Sequence, residues 1–281
     1  MAGRHVLPGD RLWECFIDSK NMKVYAFQTD IIWEDKEANF RKIEQLSKQT
    51  QPTEGSLLVL PEMFATGFSM NAPLTQEAPE GPTTAFLRKY ATDTKCHVLA
   101  GLTLSQASGK PTNEAVMLSP KGEIVGSYQK IHPFSMGKEG DHYAAGEDIR
   151  CLELPGGLRI CPFICYDLRF PEIFRKAMLM PQPPHAFIVI ANWPNKRTMH
   201  WSRLLEARAI ENLAYVVGLN RCGTDPYLGY DGASAIIDPH GATMINADTE
   251  ETVIVGEINT KPVEEWRDAF PALKDRRKDI T

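Results

Sequence analysis

The sequence predicts a single α/β domain in which helices and strands are stacked in layers. Apolar runs with strand character alternate with segments in which apolar residues recur at helical spacing. No linker, charge block or low-complexity stretch divides the 281 residues. Two tight turns of similar composition, at residues 119–122 and 238–241, each join two strand-like segments, which indicates a pseudo-symmetric domain.

The N-terminal segment differs from the rest of the chain. Residues 1–21 show no sustained strand or helix period, whereas a strand pattern begins at Met22. Two interpretations stay open: Met22 is the natural start of the protein, or the segment is an ordered N-terminal arm. We predict that residues 1–21 lie outside the core and that residues 22–281 form one domain.

Four helices and ten strands are predicted along the domain. Phe40, Ile43 and Leu46 recur at helical spacing in the first helix, and Pro171 opens the third, where a missing N–H is tolerated. The predicted helices span residues 34–49, 82–94, 171–179 and 200–211. The predicted strands span residues 23–28, 56–60, 97–104, 114–118, 123–128, 158–165, 186–191, 214–220, 233–237 and 252–258.

Composition argues against several classes of function. The chain has 31 basic and 36 acidic residues, so it lacks the basic excess that holds a nucleic-acid backbone. Its apolar runs are far shorter than a membrane span, and the first ten residues lack the apolar core of a secretory signal. Six cysteines are too few for a disulfide scaffold. We therefore expect a cytoplasmic protein with reduced thiols and with no nucleic-acid or membrane partner.

Three predicted strands end in polar residues that could carry chemistry. Glu62 follows a buried apolar run, where an acidic side chain is costly without a partner or a task. It is either a capping or salt-bridged carboxylate or a partly desolvated proton acceptor. Cys165 ends the second of these strands. Asn192 and Trp193 follow the third, where they either line a pocket or begin a turn.

No metal site is expected at the cysteine-containing strand. Cys161 and Cys165 are four residues apart, which along a strand is roughly 13 Å. Zinc needs each sulfur about 2.3 Å from the metal.

Lys130, which follows another strand, is either a solvated surface charge or an ammonium beside a thiol. In the second case it would lower the pKa of the thiol or stabilise an oxyanion.

Three segments carry a family resemblance. They are LPEMF at residues 60–64, YQKIH at 128–132 and CYDLRFPE at 165–172. In this order, the sequence resembles the nitrilase superfamily of carbon–nitrogen hydrolases from residue 23 to residue 270. Within the superfamily the chain looks most like the bacterial omega-amidases, and that narrower likeness lies in residues 132–143, 191–194 and 200–212.

The resemblance implies an αββα sandwich, subunits that pair through a helical face as homodimers or larger homo-oligomers, and catalysis without a metal or organic cofactor. It also implies a catalytic triad of Glu62, Lys130 and Cys165, with Glu139 as a second active-site carboxylate. Cys165 would form a thioester with the substrate while Glu62 carries protons. The backbone N–H of Tyr166 would join Lys130 in binding an oxyanion.

The implied substrates are small dicarboxylic acid monoamides of the 2-oxoglutaramate or 2-oxosuccinamate type. Their free carboxylate needs a cation, for which Arg197 is our candidate, although a solvated loop arginine would give the same pattern. The predicted substrate-binding residues are Phe134, Tyr143, Asn192, Trp193 and Arg197. The same triad could instead act on a carbamoyl amine, an N-acyl amine or a nitrile, and a non-catalytic binding module on this fold is the third alternative.

Other charged residues have structural interpretations. Arg169 and Glu172 are three residues apart at the turn into a helix, so we expect an ion pair or a cap. The same expectation applies to Arg208 and Glu211. Asp167 is expected to hold the turn after the nucleophile through backbone hydrogen bonds.

Overall fold

The computed structural model describes residues 21–277 of the chain, which form fourteen strands and seven α-helices. The elements of the first half are β1 (Asn21–Gln28), α1 (Lys36–Thr50), β2 (Leu57–Val59), α2 (Ala72–Thr75), α3 (Pro82–Thr94), β3 (His97–Leu104), β4 (Thr112–Leu118), β5 (Ile124–Gln129) and α4 (Glu139–His142). Those of the second half are β6 (Leu152–Leu154), β7 (Leu158–Ile164), α5 (Pro171–Ala177), β8 (Ala186–Ala191), α6 (Thr198–Asn212), β9 (Tyr215–Asn220), β10 (Cys222–Thr224), β11 (Gly229–Asp231), β12 (Ala235–Ile237), β13 (Thr243–Asn246), β14 (Thr252–Asn259) and α7 (Thr260–Ala269). No helix within residues 21–277 is long and apolar enough to cross a membrane.

Two six-stranded sheets share one pattern of strand directions. The first has the order β14-β1-β2-β3-β4-β5 and the second the order β6-β7-β8-β9-β12-β13. In each sheet, read in that direction, the neighbouring pairs are antiparallel, parallel, parallel, antiparallel and antiparallel. The hairpins β4–β5 and β12–β13, which contain the two predicted turns, occupy equivalent places. The pseudo-symmetry indicated by the two turns is therefore present in the sheets.

The sheets pack face to face, and helices cover their outer faces. The core between the sheets includes Val59 of the first sheet and Ile236 of the second. Phe40 of α1 and Leu87 of α3 pack in a second core on the outer face of the first sheet. On the outer face of the second sheet, the ring of Phe174 in α5 packs against the ring of Phe163 in β7, and their centroids are 4.4 Å apart. The result is the expected four-layer αββα sandwich.

The predicted elements agree with the structure where they are long. All four predicted helices and all ten predicted strands are present, and the bounds of the helix at Pro82–Thr94 and of the strands at His97–Leu104 and Ala186–Ala191 agree to the residue. Not predicted were the helices α2, α4 and α7 and the strands β6, β10, β11 and β13. Residues 1–20 lie outside the described residues, so the prediction for this segment stays a prediction. Asn21 is the first residue of β1 and pairs with Asn259.

The sheets bring the ends of four strands to one place. Strand β5 runs parallel to β2, because two antiparallel steps separate β5 from β3. The residues after β2, β5, β7 and β8 therefore meet at the carboxyl ends of the strands, where α/β proteins bind ligands. Gly101 of β3 lets the segment after β2 approach closely. A Cβ atom at Gly101 would lie 2.5 Å from the Cα atom of Glu62 and 2.7 Å from the backbone nitrogen of Met63.

We predict that Gly101→Ala lowers the free energy of unfolding by about 1–3 kcal/mol, because backbone atoms cannot yield to the added methyl as a flexible side chain can. The measurement is urea denaturation followed by circular dichroism. Gly140→Ala is the matched control, since Gly140 is exposed and its Cβ position meets only Pro133 Cβ at 3.8 Å. Equal stability of the two variants would contradict the close approach at Gly101.

Candidate active site

Glu62, Lys130 and Cys165 meet at the carboxyl ends of the sheets, although 68 and 35 residues separate them in sequence. Glu62 follows β2, Lys130 directly follows β5, and Cys165 directly follows β7 as the first residue of a 3-10 turn. All three side chains are at least 90% buried. Glu139, the first residue of α4, joins them and is buried as well.

The ammonium of Lys130 lies between two carboxylates. Its Nζ atom is 2.9 Å from Glu62 Oε1 and 3.0 and 2.8 Å from the two carboxylate oxygens of Glu139. Burial opposes the charged form of Lys130, but the negative charges of Glu139 and Glu62 outweigh it and raise the pKa of the amine. Lys130 is therefore an ammonium throughout the neutral range.

Neutral donors complete the hydrogen bonds of the two carboxylates. The Asn113 side-chain nitrogen donates to Glu62 Oε1 at 2.9 Å and to Glu139 Oε1 at 3.0 Å. The backbone nitrogen of Asn192 donates to Glu62 Oε2 at 2.8 Å, and that of Phe134 donates to Glu139 Oε2 at 2.6 Å. Sequence reasoning missed Asn113, since a polar residue within a buried strand does not reveal which groups it contacts.

Cys165 stands on a strained backbone. Its φ is +48°, in the left-handed region that non-glycine residues rarely adopt, and this conformation costs about 1–3 kcal/mol. Its thiol lies 3.7 Å from the carbonyl oxygen of Asn192. Such strain is common where a side chain must be presented to a ligand at the end of a strand.

The surroundings of Cys165 favour the thiol over the thiolate. Burial and the negative charge of Glu62 raise the pKa of this thiol well above its usual value. Lys130 lowers the pKa of the thiol, as expected of an ammonium beside it, but this effect only partly offsets the other two. Attack by this sulfur needs a base that removes the proton, and the Glu62 carboxylate lies beside it.

Asp167 ties the nucleophile turn to the segment after β5. One of its carboxylate oxygens accepts from the backbone nitrogen of Ile164 at 3.1 Å, as expected for a turn-holding residue, and from the hydroxyl of Tyr128 at 2.8 Å. The other oxygen accepts from the backbone nitrogen of His132 at 3.0 Å. Because the segment with His132 follows Lys130 directly, Asp167 fixes the ammonium and the thiol relative to each other.

A pocket opens at Cys165. It encloses about 400 Å³ of empty space, which includes solvent at its open side. Its lining comprises Phe68, Phe134, Cys165, Tyr166, Arg169, Asn192, Trp193, Pro194, Arg197, Leu228 and Tyr230. Four of the five predicted substrate-binding residues thus line the pocket. The fifth, Tyr143, does not, because it is buried beside Met63 and its hydroxyl bonds Thr75 and the carbonyl of Ser69.

Two arginines line the pocket wall away from the carboxylates. The guanidinium carbon of Arg169 lies 4.9 Å from the centroid of the Trp193 ring, and that of Arg197 lies 5.4 Å from the centroid of the Phe134 ring. Partial burial and the nearby positive charge of Arg197 lower the pKa of Arg169. Within residues 21–277 neither arginine forms an ion pair with a carboxylate.

The expected ion pair between Arg169 and Glu172 is therefore wrong. Helix α5 begins only at Pro171, so Arg169 lies before the helix, where helical spacing does not apply, and its guanidinium is directed to the pocket. The expected pair of Arg208 and Glu211 is present at 3.0 Å within α6.

The site has the groups for nucleophilic attack on a carbonyl and none of the usual groupings for a metal. Among the described residues, no three His, Cys, Asp or Glu side chains cluster so that they could hold a metal ion. A thiol beside a carboxylate and an ammonium offers a nucleophile, a base and a cation that can stabilise developing negative charge.

Comparisons with known proteins identify the family. A profile of the family "Carbon-nitrogen hydrolase" matches residues 23–268. Omega-amidase YafV of Yersinia enterocolitica is 36% identical, with 92% of this chain and 97% of that protein aligned. A 2-oxoglutaramate amidase of Bacillus subtilis (strain 168) is 32% identical, with 92% and 98% aligned.

A solved structure agrees in both fold and sequence. XC1258 from Xanthomonas campestris, a CN-hydrolase superfamily protein crystallised with an arsenic adduct in its active site, superposes with a TM-score of 0.85. It is 34% identical, and the match covers 92% of this chain and 98% of that one. The chain belongs to the carbon-nitrogen hydrolase family and, like the amidases among its relatives, is a carbon–nitrogen hydrolase.

Proposed function

We propose that this enzyme hydrolyses the terminal amide of small dicarboxylic acid monoamides, of the 2-oxoglutaramate or 2-oxosuccinamate type, to the acid and ammonia. The observation that carries the proposal is the pocket itself, which has a nucleophilic sulfur at Cys165 and two guanidinium groups without carboxylate partners, those of Arg169 and Arg197. Relatives named omega-amidase and 2-oxoglutaramate amidase support it.

In the first half of the reaction, the Cys165 sulfur adds to the amide carbon while Glu62 takes the thiol proton. The oxyanion accepts hydrogen bonds from the ammonium of Lys130 and from the backbone N–H of Tyr166. To bind the oxyanion, Lys130 gives up one of its two contacts with Glu139. Glu62 then gives the proton to the nitrogen, the carbon–nitrogen bond breaks, and ammonia leaves. A thioester between substrate and Cys165 remains.

In the second half, a water molecule takes the place of the ammonia. Glu62 removes a proton from the water as its oxygen attacks the thioester carbon. The tetrahedral intermediate then collapses, the carbon–sulfur bond breaks, and the sulfur recovers its proton from Glu62. The products are the dicarboxylic acid and the free thiol of Cys165.

The two arginines account for a substrate with a carboxylate at its far end. A cation pair without an internal counter-ion is costly, and a substrate carboxylate would relieve the repulsion between Arg169 and Arg197. A guanidinium also binds a carboxylate in a fixed orientation, through two parallel hydrogen bonds. Trp193 and Phe134 hold the guanidinium planes in place and leave room for a short linear chain.

Asn113 acts as a positioning residue in this scheme. It does not line the pocket, but its amide holds one oxygen of Glu62 and one of Glu139. Its own Oδ1 atom is buried without a hydrogen-bond partner among the described residues, so the side chain is oriented entirely by the two carboxylates.

The proposed substrate class is tested by ammonia release from a panel of short monoamides, N-acyl amines, carbamoyl amines and nitriles. We expect the highest kcat/KM for monoamides with a free carboxylate at the other end. A preference for a carbamoyl amine, an N-acyl amine or a nitrile would assign the site to one of the alternative substrates. No turnover of any compound by the folded protein would favour a binding module.

We predict that Cys165→Ala abolishes ammonia release, because no other thiol of residues 21–277 lines the pocket. Mass spectrometry of the unaltered enzyme, quenched during turnover, should show the acyl adduct on Cys165 alone. Cys222→Ala is the control, since Cys222 is a buried cysteine outside the pocket, and it should keep the activity. An adduct on another cysteine would contradict the proposed nucleophile.

We predict that Arg169→Ala and Arg197→Ala each lower kcat/KM for succinamate by about 10–100-fold, the value of one hydrogen bond to a charged group. Neither change should affect the methyl ester of succinamate by more than about threefold, because the ester has no carboxylate for the arginines to bind. Lys196→Ala, at an exposed position of the same loop, should leave both substrates unaffected. Equal handling of acid and ester by the unaltered enzyme would contradict the carboxylate site.

We predict that Asn113→Ala lowers kcat by about 10–100-fold and changes KM by less than about threefold, since the amide orients the carboxylates but does not touch the substrate. Asn212→Ala is the matched control, because Asn212 is also a buried asparagine, hydrogen-bonded to the carbonyl of Arg208 far from the pocket. Its loss should reduce stability without a fall in kcat. If kcat fell equally in both variants, Asn113 would have only a structural role, and the proposed positioning role would be wrong.

A further inference from the structure

Two cysteines outside the active site face each other across an antiparallel strand pair. Strands β6 and β7 pair with Leu152 opposite Ile160, and the same register extended by one residue beyond β6 places Cys151 opposite Cys161. The two thiols are hydrogen-bonded neighbours, in agreement with this register. Facing residues of an antiparallel pair have Cα atoms about 4.5–5.5 Å apart, within the range of about 4.4–6.8 Å that a disulfide spans.

The two side chains point to the same side of the sheet and share surroundings. Cys161 is a member of the large hydrophobic core formed by the second sheet and the helices α5 and α6, and Cys151 packs against that core. The sulfur of Met180 lies 3.4 Å from the Cys151 sulfur. Cys151 is half-buried, whereas Cys161 has no exposed surface, so a reagent from solvent meets Cys151 first.

The electrostatics of the pair favour reaction at Cys151. A hydrogen bond from the Cys161 thiol lowers the pKa of Cys151 although burial opposes the thiolate, and burial raises the pKa of Cys161 itself. The pKa values of the other cysteines within residues 21–277, Cys96, Cys165 and Cys222, are all raised, with burial the largest cause in each. Thiolate character determines which cysteine an oxidant attacks.

We propose that Cys151 and Cys161 form a redox site, at which hydrogen peroxide converts the two thiols into a cross-strand disulfide while Cys165 stays reduced. The Cys151 thiolate attacks one peroxide oxygen, the O–O bond breaks, and the released hydroxide takes up a proton to leave as water. The sulfenic acid formed on Cys151 is then attacked by the Cys161 sulfur. The S–S bond forms, and the sulfenic oxygen leaves as a second water with the Cys161 proton.

The site is separate from the amide-hydrolysing pocket and does not rest on the proposed function. Neither cysteine lines the pocket, and the bridge joins strands that are already paired, so the residues after β7 need not move. The disulfide would fasten β6, the edge strand of the second sheet, to the strand that ends at the nucleophile.

The test uses the full chain with Cys15→Ser, because Cys15 lies outside the described residues. The reduced protein is treated with hydrogen peroxide, blocked with iodoacetamide under denaturing conditions and digested without reductant. Trypsin separates Cys151 from Cys161 after Arg159, and chymotrypsin separates Cys161 from Cys165 after Phe163. We expect a pair of peptides joined through Cys151 and Cys161 that dithiothreitol releases, together with alkylated Cys165.

Single variants distinguish the two sulfurs. In Cys161→Ala the sulfenic acid on Cys151 cannot be resolved, so dimedone should label Cys151. In Cys151→Ser, Cys161 should stay reduced because it is buried. Cys222→Ser is the control and should form the disulfide as the parent does. The proposal is overturned if peroxide consumes Cys165 before Cys151, or if the parent forms no bond between Cys151 and Cys161.

Discussion

An ammonium group buried between two carboxylates is the interaction on which the rest of the site depends. Removing such ions from water costs several kcal/mol each, and mutual attraction repays this only when the remaining lone pairs are also satisfied. The donors that satisfy them come from a side chain of β4 and from two loop backbones, those of Phe134 and Asn192. The cluster still has two negative charges against one positive charge. Burial, together with the negative charge of Glu62, raises the pKa of the Cys165 thiol, so its attack needs the carboxylate that lies beside it as a base.

The ends of buried apolar strands indicated Glu62 and Cys165 as candidates, but they left the roles of these residues open. The family resemblance then implied the triad of Glu62, Lys130 and Cys165 and added Glu139. Asn113 could not be found, because its partners lie 51 and 26 residues away and nothing local to β4 indicates them. The sequence also could not show that Arg169 lines the pocket and that Tyr143 does not. The direction of a side chain near the end of an element depends on tertiary packing.

The longer helices and strands of the fold could also be predicted from the sequence. Long strands buried on both faces and helices with an apolar side have periods that a sequence displays. Strands β6, β10 and β11 have three residues each, too few for a period to emerge. Helix α7 buries only Thr260 and Val263, so its apolar side is narrow. Such elements form because the sheets and loops beside them provide partners, and the local sequence does not specify them.

The shared strand pattern of the two sheets has a consequence for how the enzyme is assembled. Glu62 follows β2 and Asn192 follows β8, which are equivalent strands, and three hydrogen bonds join these two residues across 130 positions of sequence. The three charged groups of the cluster, Glu62, Lys130 and Glu139, come from the first half of the chain, whereas the nucleophile comes from the second. The second half therefore supplies both the sulfur and, through Asn192, one of the donors that the buried carboxylates need. The same packing of the two sheets that completes the fold thus also completes the site.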